Sequence, residues 1–242
     1  MALVYDVSAD MAMFRKPYTT TSMVSFPFPP PTALAGLIGA IVGISHDAAQ
    51  KANSAAFWDA MSGIRVGVGV KKPIAWSTTT VNLMKFKTPN AHMGEHIQVK
   101  HQFVKGPRYR VYVEGGNVYG ALRERLEKGE FMYTPYLGIA YCIADWEYIG
   151  EYASMSCSGK DLAVDTVVPV YGDLEVDVLA SGGIHREVVP FRMSKDRKLE
   201  ETVAVLYPEF RSDRKSVVIV RNRGDVDITQ VGDDVVAWFK PW

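Results

Sequence analysis

The chain has 242 residues, of which 48% are hydrophobic. This composition excludes a disordered chain and is sufficient for a core that needs no disulfides. The formal net charge is zero at pH 7, which by itself argues against a nucleic-acid partner.

The two halves of the chain nevertheless carry opposite charge. Residues 1–112 contain 12 lysines and arginines against 5 aspartates and glutamates, a balance of +7, and residues 113–242 carry the compensating −7. This asymmetry predicts a basic binding face and a separate acidic surface, which either contacts a basic neighbour or keeps the protein in solution.

The two cysteines and the N-terminal residues indicate the compartment. Cys142 and Cys157 lack metal-binding spacing and favour a reduced, cytoplasmic setting with no metal or other cofactor. No signal peptide is expected, because Asp6 and Asp10 interrupt the first apolar run. The apolar run 33–44 is too short to span a bilayer, so we expect a buried helix and no membrane contact.

Hydrophobic periodicity predicts the secondary structure of the first 150 residues in chain order. The predicted elements are strand Ala2–Ser8, helix Thr32–Gly43, helix Asp47–Met61, strand Ile64–Val70, strand Ala75–Lys85, strand Arg108–Val113, helix Val118–Lys128 and strand Ile139–Ile149. With the second helix as an elaboration of the first crossover, this order predicts an α+β fold with a ferredoxin-like (RRM-like) βαββαβ domain. Gly67 and Gly69 within one strand indicate the close approach of another backbone.

Residues 151–242 contain short apolar runs separated by turn residues, which predict a small β-rich C-terminal region. We therefore divide the chain into a ferredoxin-like domain, residues 1–150, which contains the candidate RNA-binding segments described next, and a β-rich C-terminal region, residues 151–242.

The segment from Phe14 to Gly43 has a composition suited to RNA. Cationic Arg15 and Lys16, aromatic Tyr18 and a run of hydroxyls at Thr20, Thr21 and Ser25 precede a proline-gated apolar helix. Cations and hydroxyls hold phosphates and 2′-hydroxyls, and rings stack on bases. We also expect the N–H groups at the start of the helix to face a phosphate.

The stretch from Lys85 to Arg110 is basic and is interleaved with aromatic residues, as in proteins that bind single-stranded RNA. We expect residues 86–106 to project as a β-hairpin, here called the thumb. His92 and His96 have the spacing of metal ligands on a helix, but Pro89 and Gly94 disfavour a helix there and no third ligand follows. The sequence therefore predicts no metal site.

Several segments in this order resemble the Cas-five family, the CRISPR-associated RNA-binding subunits of type I (Cascade) effector complexes. The segments are SFPFPPPTALAGLIGAIVG at 25–43, PRYRVYV at 107–113, YTPYLGIAYCIADWEYIG at 133–150 and VVPFRM at 188–193. The resemblance covers the first 150 residues well and the last 90 loosely, and it is closest to subtype I-B.

This resemblance implies a noncatalytic subunit that binds the 5′ handle of crRNA and caps the backbone filament in antiviral defence or RNA-guided DNA targeting. The implied partners are the first backbone subunit, the large PAM-reading subunit and, through the complex, target DNA. It also implies a crRNA contact near Gly138. Residue types and resemblance together predict RNA contacts at Arg15, Lys16, Tyr18, Thr20, Thr21, Ser25, Lys85, Lys87, His92, His96, Lys100, His101, Lys105, Arg108, Tyr109 and Gly138.

Two other interpretations remain open. Some relatives of another subtype cut pre-crRNA without metal, with an adjacent lysine and histidine near the thumb. Lys100 and His101 resemble that pair, and such chemistry needs a base and a cation. The relatives also carry a tyrosine near the first helix, where this chain has none between residues 32 and 44, so the upstream Tyr18 would have to take its place. Alternatively, the basic thumb contacts protein and the chain is an interaction subunit without direct RNA contact.

Overall fold

The computed structural model describes residues 1–19, 22–45, 54–84, 96–157, 159–194, 198–209, 216–223 and 226–242. Within these residues the helices are α1 (Pro31–Val42), α2 (Ser54–Met61) and α3 (Tyr119–Lys128). The strands of the N-terminal part are β1 (Ala2–Ser8), β2 (Met11–Ala12), β3 (Phe14–Arg15), β4 (Ser25–Phe26), β5 (Arg65–Val70), β6 (Trp76–Met84), β7 (His96–Lys105), β8 (Arg108–Glu114) and β9 (Asp145–Tyr152). The remaining strands are β10 (Ser154–Ser156), β11 (Leu162–Val164), β12 (Val168–Val170), β13 (Leu174–Asp177), β14 (Ile184–Met193), β15 (Leu199–Pro208), β16 (Val217–Asn222), β17 (Ile228–Val231) and β18 (Asp234–Ala237).

A four-stranded sheet in the order β5-β8-β1-β9 forms the centre of the molecule, and all its neighbours are antiparallel. β1 lies inside it, and Ala2 to Val7 are all buried. Alternate residues of β1 enter two different clusters, with Leu3 and Tyr5 on one face and Ala2 and Val4 on the other. The sheet is therefore covered on both faces, and the mixed α+β class predicted from the sequence is confirmed.

The helices cover the first face. Leu34 and Ile38 of α1 and Leu122 of α3 are fully buried in the same cluster as Leu3 and Tyr5. α1 begins at Pro31, where a missing N–H costs nothing, and ends at Val42, followed by the C-cap Gly43 in the left-handed conformation with φ +91°. These end signals are local, so the predicted first and third helices are confirmed to within one residue at each end.

C-terminal strands cover the second face. Val231, Val236 and Trp238, from β17, β18 and the residue after β18, pack with Val4 and Tyr112. A Cβ added to Gly67 would lie 2.7 Å from Val236 Cγ1 and 3.4 Å from Ala237 O, and one added to Gly69 would lie 3.2 Å from Asp165 O. The predicted close approach of another chain segment at these glycines is confirmed.

An ion-pair network joins the same two layers. Buried Asp6 of β1 accepts from Arg110 Nε at 2.7 Å, and Arg110 Nη1 lies 3.1 Å from Asp234 of β18. Asp234 also accepts from Tyr112 OH at 2.7 Å and from Lys71 Nζ at 3.0 Å. Asp234, the first residue of β18, therefore binds Lys71, Arg110 and Tyr112 of the N-terminal part.

The predicted separation of the chain into a basic face and an acidic surface requires correction. Several cations of residues 1–112 pair instead with acids from the second half of the chain. These pairs are Lys16–Glu187, Arg65–Asp227, Lys71–Asp234 and Arg110–Asp234. Much of the sequence asymmetry is therefore neutralised inside the molecule.

One of three predicted boundaries changes, and the other two stay predictions. The strand expected at Ile139–Ile149 begins only at Asp145, because Leu137 N–H donates to Cys142 O and Cys142 N–H donates to Ile139 O in a tight turn. The second helix is described from Ser54, and its predicted start at Asp47 lies outside the described residues. The division between residues 150 and 151 falls inside β9, and residues of β14 and β15 share the core of β1.

Replacing Asp234 by Asn should lower the free energy of unfolding at pH 7 by about 2 kcal/mol, because a half-buried, charge-assisted network loses its anion. Burial raises the pKa of Asp234, but the Tyr112 hydroxyl, Lys71 and Arg110 outweigh it and hold the pKa below its ordinary value of 3.8. The contribution of this carboxylate is therefore complete above that value and is lost as the pH falls through the lower folded-state pKa.

The measurement is urea unfolding of wild type and Asp234→Asn from pH 7 down to pH 3. The difference between them should be constant in the upper range and shrink at the acid end. Asp233→Asn, which removes the neighbouring exposed carboxylate, is the control. Equal effects of the two substitutions at pH 7 would contradict the assigned role of the network.

Candidate nucleic-acid interface

The predicted RNA-binding segment after β1 forms the small hairpin β3–β4, in which Phe14 pairs with Phe26 and Arg15 with Ser25. Ser25 is buried, accepts from Phe14 N–H at 2.9 Å and donates to Phe26 O at 2.7 Å. Its hydroxyl therefore holds the hairpin together, which corrects the prediction that Ser25 contacts RNA.

Arg15 is the exposed cation of this hairpin. Its guanidinium donates to Thr19 O at 3.0 Å, and within the described part of the chain it has no ion-pair partner. A guanidinium satisfied only by one carbonyl keeps most of its donors free for a phosphate. Thr20 and Thr21, which were predicted to act beside it, lie outside the described residues.

Lys16 is in a different situation from Arg15. Its Nζ lies 2.5 Å from Glu187 Oε2 of β14, and its side chain is largely buried over the rings of Phe26 and Tyr18. Tyr18 is 66% exposed, and its hydroxyl lies 3.5 Å from the other oxygen of Glu187. Tyr18 thus offers a free ring face, whereas a phosphate reaches Lys16 only by displacing Glu187.

The start of α1 offers fewer free backbone N–H groups for a phosphate than expected. Pro30 and Pro31 have no N–H, and the N–H groups of Ala33 and Leu34 both donate to Pro30 O. Thr32 is thus the one residue of the first turn whose N–H could reach a phosphate. The expectation of a helix N-terminal phosphate site is corrected on this ground.

The predicted thumb is an antiparallel hairpin of β6 and β7 that runs from Trp76↔Val104 to Met84↔His96. It begins ten residues earlier than residue 86, because β6 belongs to this hairpin and not to the central sheet. His96, Lys100 and Lys105 are exposed on β7. Lys85, Lys87 and His92 lie outside the described residues.

The base of this hairpin is anchored in a small apolar cluster. Phe103 is buried with Met13 and Cys142, and His101 stacks on Phe103 with 5.9 Å between the ring centroids. Burial raises the pKa of the Cys142 thiol to about 11, as expected for an inert core thiol. Phe103 therefore packs inside the protein and has no exposed face for a nucleobase.

Lys100 and His101 do not form a joint site. Neighbouring strand residues point to opposite faces, and the structure shows this directly, with Lys100 exposed and His101 only 2% exposed. His101 Nδ1 lies 3.0 Å from Val99 O. The two side chains are thus not aimed at one phosphate, and Tyr18 contacts Glu187 instead.

Arg108 and Tyr109 are also engaged within the protein. Arg108 pairs with Asp6 at 2.9 Å and with Glu147 at 2.8 Å, and it stays partly exposed. Tyr109 is fully buried, donates its hydroxyl to Pro27 O at 2.8 Å, and has its pKa raised by burial. Tyr109 has no exposed face for a base, which corrects its prediction as a stacking residue.

The structure adds a feature that the sequence reasoning missed, an aromatic segment at residues 131–143. Exposed side chains in it are Phe131, Met132, Tyr133, Tyr136, Tyr141 and Ile143. The sequence analysis predicts only Gly138 of this segment as an RNA contact, although the tyrosines are evident in the sequence. Exposed rings grouped on one segment are typical of interaction surfaces.

Gly138 fixes how this segment meets β3. It has φ +89°, and an added Cβ would lie 2.0 Å from Met13 O and 3.1 Å from Phe14 Cδ1. Met13 N–H in turn donates to Leu137 O at 3.1 Å. Only glycine permits this contact, so Gly138 sets the position of the aromatic segment whether or not RNA also touches it.

The sequence from residue 2 to residue 215 matches the family described as CRISPR-associated protein (Cas_Cas5). The chain therefore belongs to this family, whose place is in CRISPR defence. None of the curated proteins matches the chain.

Solved structures share the fold at low sequence identity. A CRISPR protein from Archaeoglobus fulgidus is 13% identical, with 97% of this chain and 98% of that chain covered and a TM-score of 0.55. A chain of a CRISPR RNA-guided surveillance complex is 14% identical, with 90% and 91% covered and a TM-score of 0.52. A chain of a Type III-B Cmr-beta complex bound to cognate target RNA and AMPPnP is 10% identical, with 89% and 86% covered and a TM-score of 0.54.

Among the described residues, no helix is both long enough and apolar enough to cross a membrane. In the same part of the chain, no three His, Cys, Asp or Glu side chains lie close enough together to bind one metal ion.

Replacing Gly138 by Ala should destabilise the protein by about 3 kcal/mol or more, because the methyl group meets a backbone oxygen that cannot rotate away. Gly129→Ala is the matched control. It also has a positive φ, +69°, but an added Cβ there has no atom within 4 Å, so only the conformational strain of about 1 kcal/mol applies. Urea unfolding measures both, and equal losses would contradict the proposed contact.

Proposed function

We propose that this protein is a noncatalytic crRNA-binding subunit of a type I CRISPR surveillance complex, which holds the 5′ handle of the crRNA and caps one end of the backbone filament. The observation that carries the proposal is membership of the Cas-five family over residues 2–215. The exposed Arg15 and the exposed, basic strand of the thumb support direct RNA contact.

The order of the central sheet supports a ferredoxin-like domain. Numbered within this sheet alone, β1, β5, β8 and β9 are its first to fourth strands and lie in the order 4-1-3-2, with helices in the first and last connections. This order is the one expected of a split βαββαβ arrangement and supports it as part of the proposal. Its second face is covered by β17 and β18, so RNA would run along the thumb and the β3–β4 hairpin rather than across the sheet.

The proposed RNA contacts divide by accessibility. The residues most accessible to RNA are the exposed Arg15, Tyr18, His96, Lys100 and Lys105. Lys16 and Arg108 would act only with their carboxylate partners displaced or shared. The proposal also includes RNA contacts at Thr20, Thr21, Lys85, Lys87 and His92. It further includes binding to the backbone subunit and to the large PAM-reading subunit, access to target DNA through the complex, and assignment to subtype I-B.

A ribonuclease built on Lys100 and His101 is not supported by any contact in the described residues, because the two side chains lie on opposite faces of β7. We therefore retain a binding function alone.

The double variant Arg15→Ala/Lys16→Ala should weaken binding to a short RNA with the sequence of the repeat-derived 5′ handle. It should also flatten the plot of log affinity against log salt concentration. Each phosphate contact on single-stranded nucleic acid contributes about 0.7 to that slope. Because Glu187 occupies Lys16 in the wild-type protein, Arg15 alone should contribute, and the double variant should flatten the slope by about 0.7.

The matched control is Arg221→Ala/Arg223→Ala, which removes two exposed arginines from the C-terminal region. Fluorescence anisotropy at several salt concentrations measures all three proteins. An unchanged slope in the Arg15→Ala/Lys16→Ala variant, or an equal change in the control, would contradict the assignment of these residues.

Replacing Glu187 by Gln should have the opposite effect and strengthen RNA binding. The carboxylate occupies Lys16 Nζ at 2.5 Å, so its removal frees a cation that can then release one more counterion. The salt slope should steepen by about 0.7. Glu175→Gln, which removes the same charge from an exposed pair with Arg221, is the control. Equal gains in the two variants would mean that only net charge matters.

A further inference from the structure

A cavity of about 360 Å³ lies between α1 and the aromatic segment. One wall is the outward side of α1, where Thr32, Gly36 and Ala40 follow one another at one-turn spacing, and the other wall is formed by Tyr133, Thr134 and Tyr136. This volume lies within the range of about 300–1,000 Å³ that is typical of small-ligand pockets. No residue identified above as an RNA contact explains it, apart from Gly138 at its edge.

The walls are held by backbone hydrogen bonds and need no rearrangement. Tyr133 N–H donates to Ala40 O at 2.9 Å and Met132 N–H to Ile41 O at 3.2 Å, which fix one end of the segment on α1. The other end is fixed by Met13 N–H, which donates to Leu137 O at 3.1 Å. A pocket formed in advance avoids the entropy cost of ordering loops on binding.

The lining chemistry suits an uncharged, planar and partly polar group. Among the described residues, no side chain that lines the cavity carries a formal charge, which disfavours a phosphate or a carboxylate as occupant. Tyr133 and Tyr136 are about half exposed, so their rings border the opening, and Thr32 and Thr134 supply hydroxyls. Gly36 has open space beside it and leaves a flat wall. Nucleobases are recognised by this combination of stacking and hydrogen bonding.

The position of the cavity connects it to the exposed cation of β3. Gly138, at the cavity edge, is in contact distance of Phe14, and Arg15 follows Phe14 directly. An RNA strand bound at Arg15 would thus lie on the strand that borders the cavity. An apolar protein side chain would gain nothing from the hydroxyls or from that cation.

We propose that this cavity binds one unpaired nucleobase of the RNA. The proposal rests on the proposed function, since it assumes that the chain binds RNA, but it adds a specific site and a specific mode of contact. α1 and the aromatic segment would clasp one splayed base, while neighbouring phosphates lie along β3.

Filling the cavity tests the proposal. Gly36→Leu places a side chain into the open space, and Gly120→Leu is the matched control, since Gly120 is also a helical glycine with no atom near its added Cβ. The probe is the fluorescein-labelled handle RNA, together with a series in which each nucleotide in turn is abasic. Binding is measured with the full chain, alone and co-purified with its neighbouring subunits.

For wild type, one abasic position should weaken binding about tenfold, as expected for the loss of one stacked base. Gly36→Leu should bind intact RNA about tenfold more weakly, and the penalty at that one position should disappear. Gly120→Leu should match wild type in both respects. Tyr136→Ala should behave like Gly36→Leu, whereas Tyr136→Phe should retain the position-specific penalty, and this pair serves as the test if Gly36→Leu fails to fold.

Other outcomes would overturn the proposal. If wild type shows no position with a distinct abasic penalty, or if Gly36→Leu and Tyr136→Ala leave the penalty intact, the cavity does not hold a base. If these variants bind RNA normally but fail to assemble with the neighbouring subunits, the occupant is a protein side chain. If wild type binds no RNA in either form, the proposed function itself fails, which is a different result from binding without a base-specific position.

Discussion

The packing of the C-terminal strands on the second face of the central sheet is the constraint on which the rest of the structure depends. Gly67 and Gly69 leave room for residues of the C-terminal region, and Asp234 is held by Tyr112, Lys71 and Arg110. With helices on the opposite face, β1 is buried on both sides. Neither face of this sheet is therefore accessible to a nucleic acid, and the accessible basic residues lie on the thumb and on β3.

The same packing determines which charged residues pair with each other inside the protein. The basic first half and the acidic second half pair with each other at contacts such as Lys16–Glu187 and Lys71–Asp234. These partly buried pairs remove Lys16 and Lys71 from the set of cations that can hold phosphates. Exposed Arg15 and the lysines of β7 remain accessible, so a chain with zero net charge retains a local basic surface.

The aromatic segment shows how backbone geometry positions a surface. Gly138 lies against Met13 O, where any other residue would clash, and Tyr133 is hydrogen-bonded to the last turn of α1. Since both contacts involve backbone atoms, they hold Tyr133 and Tyr136 at the cavity whatever their side chains do. Rigid support of exposed rings is what a stacking site requires.

Local signals in the sequence determined much of the fold. The apolar run of β1, the proline start and glycine end of α1, and the glycine after α3 act over a few residues, so these elements, the α+β class and the family resemblance could be predicted. Only the tertiary structure decided which candidate residues are accessible. Tyr109 and Ser25 are buried, Lys100 and His101 face apart, and Lys16 meets a carboxylate 171 positions away. Such contacts depend on how distant segments pack, and residue types and spacing along one chain carry no information about that packing.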